Sequence, residues 1–418
     1  MSVQCSRAQC GPCAPPRWAK SIFVASLLAG ATLRIWASTL GHNDDFLTWS
    51  RVAGVIAAGK NVYASTSWTY GPIWPEILGL IKWADSTLRV NAFHTSIAGF
   101  LTLADAGIAV ILVRLGGYVP GILFMLCPVS ILITGYHSQI DNLAVLFALL
   151  SWYVLRSRPS VTDSGRGQIV LAAVLMGTSL ATKHVMLFFP VWILFWPGRP
   201  VTQRIMYCLL AYALAAAAFV PFATSPAAAV GISENVIGYR GFGGGLFPRL
   251  VSLVAPLQQV AAWFSWVPLL SPLDLVWAMV MVPTGIAVAR KFPRDPLFVY
   301  LIALLAYTPS MAEQYLTIPV ASCAMYWRRW QSWAYIVIAL ALLSSSPVNI
   351  GSLHAVNAYT IYLRRAGLMN TQAQLPMLLL LLYFYYARGE RPVSEAPSGG
   401  REQFAAGGPV QAGSADAP

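Results

Sequence analysis

Long apolar blocks separated by short polar turns run through most of this chain, and they predict its elements. Residues 18–40 form the first block, and further blocks follow at 91–113, 119–134 and up to 155. Others occupy 168–182, stretches ending near 196 and 220, then 269–289, 297–309, a stretch ending near 328, 333–346 and 375–386. About 20 apolar residues cross a bilayer as a helix, so the pattern predicts about 12 membrane helices, in a range of about 10 to 13. Blocks 46–58 and 73–84 are shorter and more polar and predict amphipathic helices lying on a membrane surface, with a third at 253–266. The expected fold class is all-α, a polytopic membrane protein.

Charge then orients the pattern. Arg7, Arg17 and Lys20 precede the first block, and Arg114, Arg156, Arg158, Arg166, Arg199, Arg204, Arg290, Lys291, Arg328 and Arg329 mark alternate turns. Basic residues collect in cytoplasmic loops, so these turns and both termini face inward. Asp44, Asp45, Glu76, Asp85, Asp141, Glu234 and Glu313 then lie outside. The organisation follows: an inner tail at 1–17, one integrated membrane body at 18–388, and an inner tail at 389–418 whose Gly, Ala, Pro and Glu content predicts disorder. Outer loops at 41–90 and 221–252 are the candidate catalytic and substrate-binding loops.

Of the 418 residues, 57% are hydrophobic and 10% charged, against roughly 25% charged in soluble domains. That excludes a water-soluble surface. The net charge of +12 is explained by the basic inner turns, so nucleic acid is not an expected partner. Cys5, Cys10 and Cys13 share part of an iron–sulfur spacing, but no fourth soluble cysteine follows. Cys127, Cys208 and Cys323 read as small core residues. The first block continues past Gly30 with no small-residue cleavage site, so it reads as a retained helix rather than a signal peptide. No internal repeat is visible, which disfavours a repeat-built transporter.

The polar groups needing explanation gather at the outer ends of helices: Asp44 and Asp45; His137, Gln139 and Asp141; Lys183 and His184; Tyr239 and Arg240; Glu313, Gln314 and Tyr315. Each has a plainer reading. Asp44, Asp45, Asp141 and Glu313 suit helix caps, Lys183 and His184 suit snorkelling, Arg240 and Gly241–Gly245 suit a solvated flexible loop, and Asp105 suits a satisfied buried polar group. Their joint placement on one face suits attack by a hydroxyl on a sugar carrying a phosphate leaving group. A carboxylate accepts the proton, and cations stabilise charge on the departing phosphate.

These motifs resemble the GT-C superfamily of membrane glycosyltransferases, nearest to bacterial polyprenol-phosphate-mannose-type enzymes and the catalytic subunit of GPI mannosyltransferase I. The likeness rests on Asn43-Asp44-Asp45-Phe46 with Trp49, Gly59 through Tyr63, Tyr70-Gly71-Pro72, Ser138-Gln139-Ile140-Asp141, Lys183 with Pro190, residues 236–244, and Glu313-Gln314-Tyr315-Leu316. It implies an inverting hexosyltransferase, here a mannosyltransferase, using a polyprenyl-phosphate sugar and facing the non-cytoplasmic side. That membrane is bacterial or, alternatively, that of the endoplasmic reticulum. It implies Asp45 as base and Asp44 as its partner or a ligand for Mg or Mn, with metal dependence open. The other gathered residues bind substrate. The acceptor, a glycan, lipid or protein, is undetermined. The rival reading is a transporter or flippase of a lipid-linked sugar, which needs the cationic site but no base.

Overall fold

The apolar blocks fold as helices because a helix satisfies its own backbone groups and leaves only side chains to partition. The computed structural model describes residues 17–157, 165–239, 259, 272–291, 295–309, 311–344 and 369–386. Among these residues all regular structure is helical and no strand occurs. The cysteine-bearing tail, Arg240 with the glycines after it, the 253–266 segment and the tail from 389 lie outside the described residues.

Helix α1 (Arg17–Thr39), α5 (Phe93–Gly116) and the segment 201–222 built on α11 (Val201–Ala217) are long and apolar enough to cross a membrane. A fourth such unit is the bent pair α6 (Tyr118–Met125) and α7 (Pro128–Gly135), which meet at 49°. One continuous helix was expected over 119–134. Pro128 corrects that: it has no N–H for the Phe124 carbonyl, which accepts from Cys127 N instead. The block ending near 196 is likewise divided, into a turn at His184–Met186 and α10 (Phe189–Leu194). The segment 221–239 is more ordered than a plain loop. Ser225 accepts from Ala228 N and caps α12 (Pro226–Gly231), and a wide helical turn continues over Ile232–Ile237.

Helices α8 (Asp141–Arg156), α9 (Arg166–Thr182), α13 (Pro272–Lys291), α14 (Pro296–Tyr307), α15 (Val320–Met325), α16 (Trp330–Ser344) and α17 (Met369–Tyr386) complete the body. Leu297 through Ala306 of α14 are all buried, as in a helix surrounded by others. The periphery is the reverse. Ile22, Leu28 and Trp36 of α1 and Ile205 and Leu209 of α11 stand exposed, large apolar side chains of the kind that face lipid.

One polar network crosses this apolar body. Arg34 of α1 and Asp105 of α5 pair at 2.6 Å with both side chains fully buried. Ser130 and Thr134 of α7 donate to Asp105 Oδ2, and Asn142 of α8 donates to Oδ1. Asp105 is therefore satisfied, as its plainer reading held.

The segment 41–90 builds a second core. Helix α2 (Asp44–Ala57) buries Trp49, Val52 and Ala53, spaced along one face, and α4 (Ile73–Leu88) buries Trp74 and Leu78. Both are amphipathic as expected. They pack on each other and on Phe93, Ile97 and Leu101 of α5, rather than resting singly on a surface. A short α3 (Val62–Ser65), capped by Asn61, joins them.

Candidate functional site

The start of α2 places the carboxylates. Gly41 ends the approach from α1 with φ of 136°, and Asn43 occupies the N-cap position without making a cap bond. Its side-chain amide instead donates to Asp45 Oδ2 at 2.8 Å and meets His137 Nδ1 at 2.8 Å. Gln139 Nε2 donates to the same Asp45 oxygen at 2.5 Å. Among the described residues Asp45 Oδ1 accepts no hydrogen bond. Asp44, one position earlier, is exposed and outside this cluster.

Burial raises the Asp45 carboxyl above its usual range, opposed by the Asn43 bond and the charge of Lys183. Burial holds His137 down to about 4, so its ring is neutral at pH 7. A neutral ring accepting at Nδ1 from Asn43 carries its proton on Nε2.

The second half of the cluster lies where α8 and α9 begin and end. Lys183 follows the last residue of α9 and pairs with Asp141, the first residue of α8, at 2.8 Å, both side chains fully buried. The capping and snorkelling readings of these residues are thereby corrected. Asp141 is spent on an ion pair, and an unpaired ammonium at that depth would be costly. The Lys183 ammonium also sits 4.9 Å from the Tyr70 ring centre and 5.1 Å from that of Tyr315, positions that favour a cation on an aromatic face. Glu313 opens the turn Glu313–Thr317, whose cap position belongs to Ala312, so its cap reading is corrected too. In that turn Gln314 Nε2 approaches the Tyr70 hydroxyl at 3.4 Å.

A cleft of about 80 Å³, lined by His184 next to Lys183 in the chain and by Tyr315, lies beside this ion pair. His184, Tyr239, Thr308 and Tyr315 give it a polar end, and Val185, Trp277, Leu304, Leu305 and Ile318 give it an apolar one. The His184 and Tyr239 rings lie 5.8 Å apart. Among the described residues, three buried acceptor oxygens of the cluster have no hydrogen-bond partner: Asn43 Oδ1, Gln139 Oε1 and Asp141 Oδ1. Such atoms call for donors, since an unmet buried acceptor costs about 1–3 kcal/mol.

The structure thus brings together Asp45, His137, Gln139, Asp141, Lys183, His184, Tyr239, Gln314 and Tyr315. Arg240 lies outside the described residues. Asn43, Tyr70 and Trp277 were not among the expected site residues. The first two had a signal, since Asn43 adjoins the carboxylates and Tyr70 precedes the Gly-Pro turn. Nothing local marks Trp277. For a divalent metal, no three His, Cys, Asp or Glu side chains converge among the described residues. Asp45 already accepts two amides on one oxygen, and Asp44 stands apart. These donors do not suit Mg or Mn, and no step below uses one.

Comparison with known protein families, characterised proteins and solved structures gives no match.

Proposed function

We propose that this chain is a multi-pass membrane glycosyltransferase of GT-C type that moves a hexose, mannose in the first instance, from a polyprenyl-phosphate donor to an acceptor hydroxyl. In this reading it has about 12 membrane helices, and its site faces the non-cytoplasmic side. The observation that carries the reading is Asp45. One of its oxygens is fixed by two amides, the other accepts no hydrogen bond among the described residues, and burial raises its protonation range toward neutral pH. That is the condition for an effective general base.

In the proposed reaction Asp45 takes the acceptor hydroxyl proton as that oxygen attacks the anomeric carbon. The bond from that carbon to the phosphate oxygen breaks, and its electron pair leaves on the polyprenyl phosphate. The sugar is inverted once. Lys183, screened by Asp141 and two aromatic faces, is the described cation nearest this chemistry, and it stabilises the departing phosphate. The part-polar, part-apolar cleft beside it suits a lipid phosphate. The three unpaired acceptors suit sugar hydroxyls.

The test is transfer of labelled mannose from polyprenyl-phosphate mannose in membranes carrying wild type or Asp45→Asn. Loss of about 10²-fold or more is expected for the variant. Full activity in a folded Asp45→Asn protein sinks the assignment. Lipid-linked sugar that binds and crosses vesicles without transfer points to the transporter reading instead.

A further inference from the structure

Gln139, which donates to Asp45, and His137, which meets the Asn43 amide that also donates to Asp45, sit on a tight loop, residues 136–140, between α7 and α8. Its residues are set by backbone bonds to α7, from His137 N to Leu132 O at 3.0 Å and from Gln139 N to Ile133 O at 3.1 Å. Ser138 takes a left-handed φ of 53°, and its carbonyl accepts from Trp49 Nε1 at 3.1 Å. The two flanks of this loop carry Thr134 and Asn142, and both belong to the Arg34–Asp105 network.

Thr134 donates to Asp105 Oδ2 at 2.8 Å, and Asn142 donates to Oδ1 at 2.7 Å. One carboxylate therefore grips both ends of the loop. Asn142 also accepts from Thr317 at 3.0 Å, two residues beyond Tyr315, and its chain neighbour Asp141 holds Lys183. Arg34 completes the grip. Its guanidinium donates to Asp105, to Ser130 of α7 at 2.8 Å, and to the Met125 carbonyl at 2.7 Å, at the break between α6 and α7.

We propose that the Arg34–Asp105 pair is a positioning device for the Asp45 site. By clamping Thr134 and Asn142 it sets where Gln139 meets Asp45, where His137 meets Asn43, and where Asp141 meets Lys183. Its consequence for sugar transfer rests on the reading of Asp45 as a base; its consequence for the Asp45 environment does not. A purely structural ion pair would alter stability and leave the titration of Asp45 alone.

The experiment uses the full chain in detergent or nanodiscs and compares wild type with Arg34→Met/Asp105→Leu. Removing both charges avoids leaving an unpaired buried one. Two readouts are taken. One is the pH–rate profile of mannose transfer. The other is carbodiimide–amine labelling of Asp45 against pH, read by peptide mass spectrometry. The double variant is expected to lose about tenfold or more in kcat, with a smaller change in KM. Its labelling midpoint is expected to move by about one pH unit. A rate profile and labelling midpoint equal to wild type overturn the proposal.

If the double variant does not fold, Thr134→Val removes one grip isosterically. It is expected to shift the midpoint in the same direction, with Thr134→Ser restoring it; a Val variant indistinguishable from wild type overturns the proposal. If wild type moves no sugar, the transferase reading fails, and the labelling midpoint alone decides the positioning role.

Discussion

At the scale of residues, the two adjacent carboxylates are unequal for a reason that spacing cannot show. Asp44 faces solvent, and Asp45 is drawn into the Asn43, His137 and Gln139 cluster. Two pH effects follow. A carboxyl raised above its ordinary value binds a proton more tightly folded than unfolded, so it adds stability at low pH that is lost as pH rises. Asp45→Asn is therefore expected to melt at or above the wild-type temperature at pH 7 while losing transfer, a pairing that thermal unfolding and the transfer assay together check. The acid limb of the transfer profile is expected above the usual carboxylate range. His137 has the opposite linkage. With its folded value lowered to about 4 from 6.5, the unfolded chain binds more protons between those values, so stability rises with pH across that window. His137→Gln, which keeps an acceptor for Asn43, is expected to flatten that part of a stability–pH curve.

At the scale of elements, most helices were legible, because long apolar blocks and their flanking arginines are local properties. The two amphipathic helices of the 41–90 segment were legible too. Their partners were not. The Tyr70-Gly71-Pro72 turn looks like an ordinary loop signal in sequence, yet Gly71 lies against the end of α9, where an added Cβ would fall 1.8 Å from the Ala181 carbonyl oxygen. Gly71→Ala is expected to push Tyr70 off Lys183, destabilising by about 1–3 kcal/mol. It should also weaken donor use more than the same change at exposed Gly54 of α2, where an added Cβ meets nothing within 4 Å. Equal transfer by the two variants would count against Tyr70 as a wall of the site. The breaks in helices at Pro128 and within 184–194 follow from proline chemistry that sequence displays. The contacts across the 49° bend do not, since Arg34, from a distant helix, bonds Met125 O before the break and Ser130 after it.

At the scale of the whole molecule, the arrangement is an apolar body, one buried polar network and a polar cluster at one end. Exposed Leu, Ile and Trp on α1 and α11 suit a lipid surround. In the proposed orientation Asp44 stands outside and Arg114 inside. Cysteines placed singly at these positions in a protein lacking its own are expected to divide: Asp44→Cys reacts with a membrane-impermeant maleimide in intact cells, and Arg114→Cys only after permeabilisation. The reverse pattern would invert the orientation and with it the outward-facing site. Cys127, Cys208 and Cys323 are free and buried, so replacing them with Ala or Ser trims cores but removes no disulfide.

What the chain determined by itself was its helical class, its apolar blocks, the segregation of acidic and basic turns, and the set of residue types available for chemistry. These depend on composition and on spacing within one element. Tertiary structure alone decided which of those residues meet. Arg34 sits inside an apolar block, 71 positions from Asp105, and nothing near either one names the other. Lys183 and Asp141 pair across 42 positions because α8 and α9 pack side by side. Burial then does what sequence cannot: by removing water it makes pairing obligatory, moves the Asp45 carboxyl upward, and separates it from Asp44, which carries the same chemical group one residue away.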